Sequence, residues 1–386
     1  MRRQAGCHGV RRKAARLRAA AAATLGLALV GCGASEPHPG SRARATAVRE
    51  PPFCLRLRGT AALDGGDGSS GSFPTATIGW ILFTPEALHE AGGVGVCDSM
   101  LRVTTDGARS FRAVRIPAEP FAAVVADSPQ DVWLIGRRSY ASVDGGRRWR
   151  AVGLPSDVEQ VILAGHTALA IAQACVKRDR CGVEFLRSVD GGRAWRRHAL
   201  PRDTLDQLVA RGPLVAMVTR TRILISDNGG RTFISRRSPC SVFEPPLVAI
   251  DPADTIWELC AGEPGAGSQE KIVFESGDLG RHWAETLRWT PQSPPTVLDS
   301  GYAGTLATPA DETLVLTEAR GGLTFSDDDG RHWIDTIPDI NDADPAPGWL
   351  SFPTPSRGYA WIYENHVFST TDGGRSWQPV PIRPLK

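Results

Sequence analysis

The sequence lacks the local motifs that mark several large classes of enzyme. No CxxC pair occurs among its eight cysteines, and its eight histidines do not cluster with them. A zinc site of the usual Cys/His spacing is therefore not expected. No phosphate-binding loop and no nucleophile elbow stands out either. We accordingly expect no metal and no cofactor.

The chain also lacks an excess of charge of one sign. Its formal net charge is +2, but seven of its 44 Lys and Arg residues, and none of its 42 acidic residues, fall within residues 1–31. Without that segment, 37 basic residues remain against 42 acidic ones, a net charge of −5. No run of basic residues is interleaved with aromatic side chains. These features exclude nucleic-acid binding as the function.

The N-terminal apolar run is too short to cross a bilayer. Residues 19–30 are apolar or small and follow a segment rich in arginine, whereas a spanning helix needs about 20 apolar residues. This arrangement is typical of a signal peptide. The run ends in Leu29-Val30-Gly31-Cys32, which resembles the bacterial lipobox. That resemblance implies removal of residues 1–31 and lipidation of Cys32. An ordinary signal peptide with an incidental cysteine is the alternative, and the export route, Sec or twin-arginine, stays open.

The segment that follows has the composition of a linker. Residues 33–52 are rich in Pro, Ala, Ser and Arg and contain few apolar side chains, which is typical of a flexible tether. We therefore predict a lipoprotein signal peptide over residues 1–31 and a folded domain over residues 69–386. Residues 32–68 would contain the lipidated cysteine, the tether and a leader strand near 53–59.

An eight-residue pattern recurs seven times along the remaining chain. It reads Ser/Thr, any, Asp, any, Gly, any, any, Trp/Phe, and we call each copy a box. The boxes span residues 104–111, 142–149, 188–195, 226–233, 276–283, 326–333 and 370–377. Their third positions are Asp106, Asp144, Asp190, Asn228, Asp278, Asp328 and Asp372, at steps of 38 to 50 residues. A period of this length is typical of a propeller blade.

Each box has the chemistry of a tight turn between two strands. Asp-Gly and Asn-Gly pairs tolerate positive φ, and the short side chain can accept hydrogen bonds from the turn's own backbone. Three short β-type segments precede the second box and one follows it. We therefore predict an all-β fold: a seven-bladed β-propeller with four antiparallel strands per blade and the box in the strand 3–4 hairpin. Six or eight blades remain possible if one box lies outside the ring or one blade lacks a box.

The box resembles the Asp-box, or BNR repeat, of sialidases, sortilin-type receptors, xyloglucan-cleaving enzymes and photosystem II stability/assembly factor-like proteins. Gly79-Trp80, followed by the first box, is most similar to the last group. The resemblance implies that the boxes lie at the blade periphery, away from the ligand site. The seven box Asp and Asn residues are accordingly interpreted as structural.

The cysteine count suggests disulfides. Six cysteines remain after Cys7 is removed with the signal peptide and Cys32 is lipidated: Cys54, Cys97, Cys175, Cys181, Cys240 and Cys260. An even count in an exported protein favours three bonds. Cys175 with Cys181, Cys240 with Cys260 and Cys54 with Cys97 are the pairs we favour, among fifteen formal pairings.

A glycoside hydrolase of exo-sialidase type is the alternative function that the resemblance raises. Sialidases begin with an Arg-Ile-Pro strand, and this chain contains Arg115-Ile116-Pro117. Here, however, the tripeptide follows the first box, and a proline recurs six residues after the last residue of the next two boxes. We interpret it as the ordinary end of an outer strand. Tyr302, with Glu318 and Arg320, is the best remaining match to a tyrosine nucleophile and its partners. A glycosidase with two carboxylates on facing loops would leave no sequence signature.

Loops that join blades, and loops between second and third strands, share one face of a propeller, the usual ligand face. Basic residues fall in such loops, namely Arg137, Arg138, Lys177, Arg178 and Arg180, and acidic residues precede the last blade. Ordinary solvated loops are the simpler interpretation of this charge distribution. We expect a monomeric, non-catalytic binding or assembly scaffold that recognises a protein or glycan in the cell envelope. A lipid on Cys32 would hold it to the outer face of a bacterial membrane.

Overall fold

The computed structural model of the chain describes residues 69–84, 98–177, 180–200, 205–219, 221–240, 246–263, 269–290, 298, 301–319, 322–337, 348–363, 366–380 and 382. These residues form 28 strands in seven four-stranded sheets, and no α-helix occurs among them. The predicted all-β class and seven-bladed propeller are confirmed.

Each blade consists of four strands that are consecutive along the chain. Blade 1 comprises β1 (Ser69–Ser72), β2 (Gly79–Phe83), β3 (Met100–Thr104) and β4 (Arg112–Val114). Blade 2 comprises β5 (Phe121–Ala126), β6 (Val132–Gly136), β7 (Ser139–Ser142) and β8 (Arg150–Val152). Blade 3 comprises β9 (Val158–Ala164), β10 (Thr167–Lys177), β11 (Arg180–Ser188) and β12 (Arg196–Ala199). Blade 4 comprises β13 (Leu205–Arg211), β14 (Leu214–Thr219), β15 (Arg222–Ser226) and β16 (Ile234–Arg237).

The remaining three blades follow the same plan. Blade 5 comprises β17 (Leu247–Ile250), β18 (Ile256–Ala261), β19 (Lys271–Ser276) and β20 (Ala284–Trp289). Blade 6 comprises β21 (Tyr302–Ala307), β22 (Leu314–Ala319), β23 (Gly322–Ser326) and β24 (Ile334–Ile337). Blade 7 comprises β25 (Leu350–Ser351), β26 (Gly358–Tyr363), β27 (His366–Thr370) and β28 (Gln378–Val380). Every box connects strands 3 and 4 of its blade, as predicted.

The core lies between consecutive blades. Second strands are apolar and buried on both faces, as in β6 and β14, because each blade packs against a neighbour on either side. One cluster, for example, joins Trp133 of blade 2 to Val161 and Leu186 of blade 3. Stability therefore depends on how closely one blade approaches the next.

The ring is closed by packing between blades 7 and 1. The rings of Phe73 and Tyr359 stack with centroids 3.7 Å apart, and the Tyr359 hydroxyl donates to the carbonyl oxygen of Ala76 at 2.8 Å. Arg357 Nη2 donates to the Gly107 carbonyl oxygen at 3.0 Å. All four described strands of each of these blades come from one continuous segment, so no strand exchange is needed to join them.

The box glycine sits where two physical requirements coincide. Gly192 has a φ of +79°, and a Cβ at this residue would lie 2.5 Å from Cη2 of Trp133 in the preceding blade. Gly230 likewise has a φ of +74°, and its Cβ would lie 2.8 Å from Cζ of Phe185. Only glycine meets both the left-handed backbone conformation and the close approach without strain. Each box thus anchors its blade to the preceding one.

Box 1 shows that one junction tolerates a methyl group. Ala108 occupies the glycine position with a φ of 69°, and it is 2 % exposed within the cluster that joins blades 7 and 1. The Cβ therefore finds room there, although the backbone conformation remains unfavourable for alanine.

The first prediction separates these two requirements. Gly165 has a φ of +59° with no atom within 4 Å of a built Cβ. Gly165→Ala should therefore cost only the left-handed penalty, about 1–2 kcal/mol. Gly192→Ala should cost that penalty and about 1–3 kcal/mol of overpacking against Trp133. Urea unfolding of both variants measures the difference, and equal losses would contradict the proposed anchoring role of the box.

Candidate functional site

The two faces of the propeller differ in what their loops do. The boxes share one face with the turns between first and second strands, and backbone hydrogen bonds join the two. Gly145 N donates to the Gln130 carbonyl oxygen at 3.0 Å, and Gly373 N donates to that of Ser356 at 2.9 Å. Loops between second and third strands and loops between blades lie on the opposite face, which we call the loop face.

The box carboxylates accept hydrogen bonds from groups of their own turns. Asp144 Oδ1 accepts from the Ser142 hydroxyl at 2.9 Å and from the backbone N–H groups of Arg147 at 3.1 Å and Arg148 at 2.9 Å. The Ser142 hydroxyl oxygen in turn accepts from Gly146 N at 2.8 Å. The other six boxes repeat the Ser/Thr hydroxyl contact to their Asp or Asn Oδ1.

These hydrogen bonds stabilise the ionised carboxylates. The Ser110 side chain and backbone, with Thr104, lower the pKa of Asp106 to about 2. The backbone N–H of Arg148 lowers the pKa of Asp144. A carboxylate that holds several N–H groups and has a lowered pKa is a poor proton donor near neutral pH. The geometry therefore favours a structural role for the boxes.

On the loop face, the predicted basic residues of blade 2 have an acidic neighbour. Arg137 and Arg138 form the exposed turn between β6 and β7. Arg138 Nη1 lies 3.6 Å from Glu119 Oε1 in the loop that joins blades 1 and 2. The Tyr140 hydroxyl donates to the same oxygen at 2.8 Å, and this bond raises the pKa of Tyr140. Arg138 thus belongs to a small network, while Arg137 has no described ion-pair partner.

Blade 3 carries the other predicted basic residues on a longer hairpin. β10 and β11 have 11 and nine residues, whereas second strands of the other blades have five or six. Lys177 pairs with Arg180 in the backbone register, and Arg178 lies outside the described residues. The structure thus brings Lys177 and Arg180 together at the hairpin tip, on the loop face.

The cysteines divide between described and undescribed segments. Cys240 and Cys260 are joined in a disulfide, with Cα atoms 5.3 Å apart. Cys175 is the backbone register partner of Cys181, and the disulfide between them stays a prediction. Cys32, Cys54 and Cys97 lie outside the described residues, so the predicted lipidation and the third disulfide remain predictions.

A buried polar cluster, missed by the sequence analysis, joins blades 5 and 6. Lys271 Nζ lies 2.9 Å from Glu318 Oε1, with both side chains 0 % exposed. Lys271 also donates to the carbonyl oxygens of Leu298 at 2.9 Å and Gly301 at 3.2 Å. Burial raises the pKa of Glu318 to about 7, although Lys271 opposes the shift. In the adjacent interior of blade 5, Ser238 donates to Glu258 Oε2 at 2.5 Å.

Two members of the suggested tyrosine set lie on neighbouring strands, because Tyr302 of β21 is the register partner of Ala319, the residue after Glu318 in β22. Glu318 is enclosed with Lys271, and Arg320 lies outside the described residues. Arg115 is exposed beyond the end of β4, and its carbonyl oxygen accepts from Trp149 Nε1 at 3.0 Å. The interpretation of Arg115-Ile116-Pro117 as an outer-strand end fits this position.

Within the described part of the chain, no group of three or more His, Cys, Asp or Glu side chains could hold a metal ion. No helix among these residues is long and apolar enough to cross a membrane.

Solved structures with the same architecture serve several functions. YCF48 bound to D1 peptide aligns with a TM-score of 0.53 and 18% identity, over 78% of this chain and 92% of that chain. An ancestral GH74 enzyme aligns with a TM-score of 0.58 and 13% identity, over 84% of this chain and 47% of the enzyme. Acylaminoacyl peptidase in complex with Z-Gly-Gly-Phe-chloromethyl ketone aligns with a TM-score of 0.53 and 9% identity, over 82% of this chain and 52% of the peptidase.

These similarities carry no more than the fold, and the strand order shows that fold to be a seven-bladed β-propeller. No protein-family model matches the sequence, and no curated protein matches it.

The second prediction concerns Glu258. Burial raises its pKa from 4.5 to about 7. Because the folded state holds this proton more tightly than the unfolded state, the group's contribution to stability is complete below about pH 4.5 and is lost as the pH rises through about 7. Glu258→Gln should remove this loss, which amounts to about 3 kcal/mol for a shift of this size.

Urea unfolding between pH 4.5 and 8 measures the effect. The lowered pKa values of the box aspartates act in the opposite direction and at lower pH. Glu318 adds a second loss over the same pH range, so the effect of Glu258 is the difference in slope between the variant and the wild type. Glu285→Gln, at an exposed position of β20, is the matched control and should keep the wild-type slope. An unchanged slope in Glu258→Gln would contradict the assignment.

Proposed function

We propose that this chain is a non-catalytic binding scaffold that holds an extended protein segment at the loop face of its propeller. The observation that carries the proposal is the projecting hairpin of blade 3. β10 pairs with β9 only as far as Ala172, and β11 pairs with β12 only from Glu184 onward. Beyond Gln173, whose N donates to the Asp157 carbonyl oxygen at 2.9 Å, the two strands pair with no other described strand.

The ends of β10 and β11 beyond Gln173 and before Glu184, which we call the ribbon, offer backbone groups to a partner. Along residues 180–183, the outer edge of β11 is paired with no other described strand. An extended peptide can add a strand to an open edge of this kind through main-chain hydrogen bonds. Lys177 and Arg180 at the tip, with Arg178 between them in the sequence, favour a peptide with acidic side chains.

Structural similarity supports a peptide partner. The YCF48 structure contains a bound peptide, and its propeller is covered almost completely by this chain, at 92%. A glycan is the alternative ligand, and a glycoside hydrolase of exo-sialidase type is the alternative function. The similarity to a GH74 enzyme favours a glycoside hydrolase in general. The enclosure of Glu318 with Lys271 counts against the tyrosine-based mechanism.

We propose that the scaffold lies in the cell envelope. The N-terminal pattern and Cys32 motivate export and attachment by a lipid to the outer face of a bacterial membrane. The Cys240–Cys260 disulfide fits an oxidising compartment. We propose that the protein acts as a monomer, without nucleic acid and without a cofactor.

The third prediction tests the ribbon. An array of extended peptides, matched in length and either acidic or neutral, is probed with the purified protein. Acidic peptides should bind, and the triple variant Lys177→Ser/Arg178→Ser/Arg180→Ser should weaken binding at least about tenfold, through lost electrostatic attraction. Arg147→Ser/Arg148→Ser, on the box face, is the matched control. Equal binding by the two variants would exclude the ribbon as the site.

A hydrolysis screen tests the alternative. The folded protein is assayed against fluorogenic sialosides and a panel of other glycosides. The scaffold proposal expects no turnover. Turnover abolished by a single substitution near the propeller axis, but retained in a folded Asp144→Ala variant, would replace the scaffold with an enzyme.

A further inference from the structure

The charge of the propeller differs between two groups of three blades, which we call the basic half, blades 2 to 4, and the acidic half, blades 5 to 7. Residues 121–237, which form blades 2 to 4, contain 19 Lys and Arg against 11 Asp and Glu, a net charge of +8. Residues 247–380, which form blades 5 to 7, contain seven against 21, a net charge of −14. The excess of arginine in the basic half has to be accommodated on its surface or matched by a partner.

Arginines face each other across strands in this basic half. Arg187 of β11 is the register partner of Arg196 of β12, and Arg222 of β15 is the register partner of Arg237 of β16. Like charges directly opposite each other in a sheet are destabilising. Two such pairs in adjacent blades indicate a surface whose charge is not balanced within the described chain.

The junction between blades 3 and 4 concentrates this charge. Arg187 Nε donates to the carbonyl oxygen of Gly229 in box 4 at 2.7 Å, which brings it next to Arg231 of the same box. Burial lowers the pKa of Arg187, and the positive charges of Arg231 and Arg196 lower it further. None of these three arginines forms an ion pair with a described carboxylate, whereas Arg197 pairs with Glu184.

Box 4 is the box without its carboxylate. Three other junctions have an arginine that donates to the equivalent box carbonyl, and there the box contains an aspartate: Arg150 to Gly191, Arg236 to Leu279 and Arg357 to Gly107. In box 4, Asn228 Oδ1 still accepts from the N–H groups of Arg231 and Thr232, at 3.0 and 3.1 Å. The hydrogen bonds of the turn are therefore kept while its negative charge is absent.

A second carboxylate position is also neutral at this junction. Arg375 of box 7 pairs with Asp327 of box 6, and the corresponding residues across the junction of blades 3 and 4 are Arg231 and Val189. Val189 is 57 % exposed. Box 4 does contain an acid, Asp227, but it occupies the position of Asp327. Asp327 pairs with the following blade, so Asp227 is positioned toward blade 5 and not toward Arg231 of its own box. Arg231 thus lacks the carboxylate that the other six boxes contain and, unlike Arg375, has no acidic residue at the second position of the preceding box.

We propose that Arg187, Arg196 and Arg231 form a binding site for a phosphate group on the box face, between blades 3 and 4. Guanidinium groups donate in a fork that matches phosphate oxygens. A phosphate group provides several acceptor oxygens and up to two negative charges, so it matches three converging arginines better than one carboxylate does. This site is separate from the peptide-binding ribbon on the loop face.

The variant Asn228→Asp tests the site by charge alone. The fold should be retained, because six boxes contain aspartate, and Thr232 can donate to it as Ser110 and Ser376 do to Asp106 and Asp372, at 2.6 and 2.5 Å. Isothermal titration of the full chain with inorganic phosphate should show specific binding. Asn228→Asp and Arg196→Gln should each weaken it about tenfold, because one adds a negative charge and the other removes a positive one.

Arg147→Gln is the matched control, since Arg147 occupies in box 2 the position that Arg231 has in box 4, and it should bind phosphate as the wild type does. The proposal would be overturned if the heat of binding measured with phosphate equalled that measured with chloride at the same ionic strength. Equal affinity in wild type and Asn228→Asp would overturn it as well, and so would a preference for poly-glutamate over phosphate.

Vesicles separate the two sources of the phosphate group. Stronger binding to phosphatidylglycerol vesicles than to phosphatidylcholine vesicles assigns a lipid headgroup, provided that inorganic phosphate competes with this binding and that Asn228→Asp abolishes the difference. Phosphate binding that Asn228→Asp weakens, without any such excess, assigns a soluble phosphate.

Discussion

The close approach of each box to the preceding blade is the contact on which the ring depends. At Gly192 and Gly230 the positive φ and the missing Cβ are required together, because an aromatic ring of the preceding blade occupies the place of a side chain. A tight turn alone would need only the backbone conformation. The glycine in the repeat is therefore explained by packing between blades, and the spacing of the boxes follows from the number of residues in a blade.

The aspartate in the repeat has a different and more replaceable role. Its oxygen gathers the hydroxyl and N–H groups that the turn leaves unsatisfied, and Asn228 gathers the same groups without a charge. The position can therefore change its charge while the fold is kept. This separation between hydrogen bonding and charge lets one blade junction differ electrostatically from the others, although its backbone is the same.

The sequence predicts the fold because the repeat is local: hydroxyl, carboxylate, glycine and aromatic residue all lie within eight positions. It does not predict contacts between distant segments. Lys271 and Glu318 belong to different blades and have no shared motif, so their ion pair emerges only from the packing. Equal spacing in the sequence does not guarantee equal contacts. Asp251 lies six residues before Trp257 and accepts from its Nε1. Asp127 also lies six residues before a tryptophan, Trp133, but that side chain donates to Asp131, while Asp127 accepts from Gly165 N.

The same reasoning limits what the boxes say about function. Seven repeats distribute identical chemistry evenly around the ring, so a binding site has to arise where the repetition is broken. Two exposed breaks in the described repeat fall in blades 3 and 4: the lengthened hairpin of β10 and β11 on one face, and the neutral box with its facing arginines on the other. A partner that engages either one would contact residues that the other blades do not offer, and blade 3 would contribute to both sites.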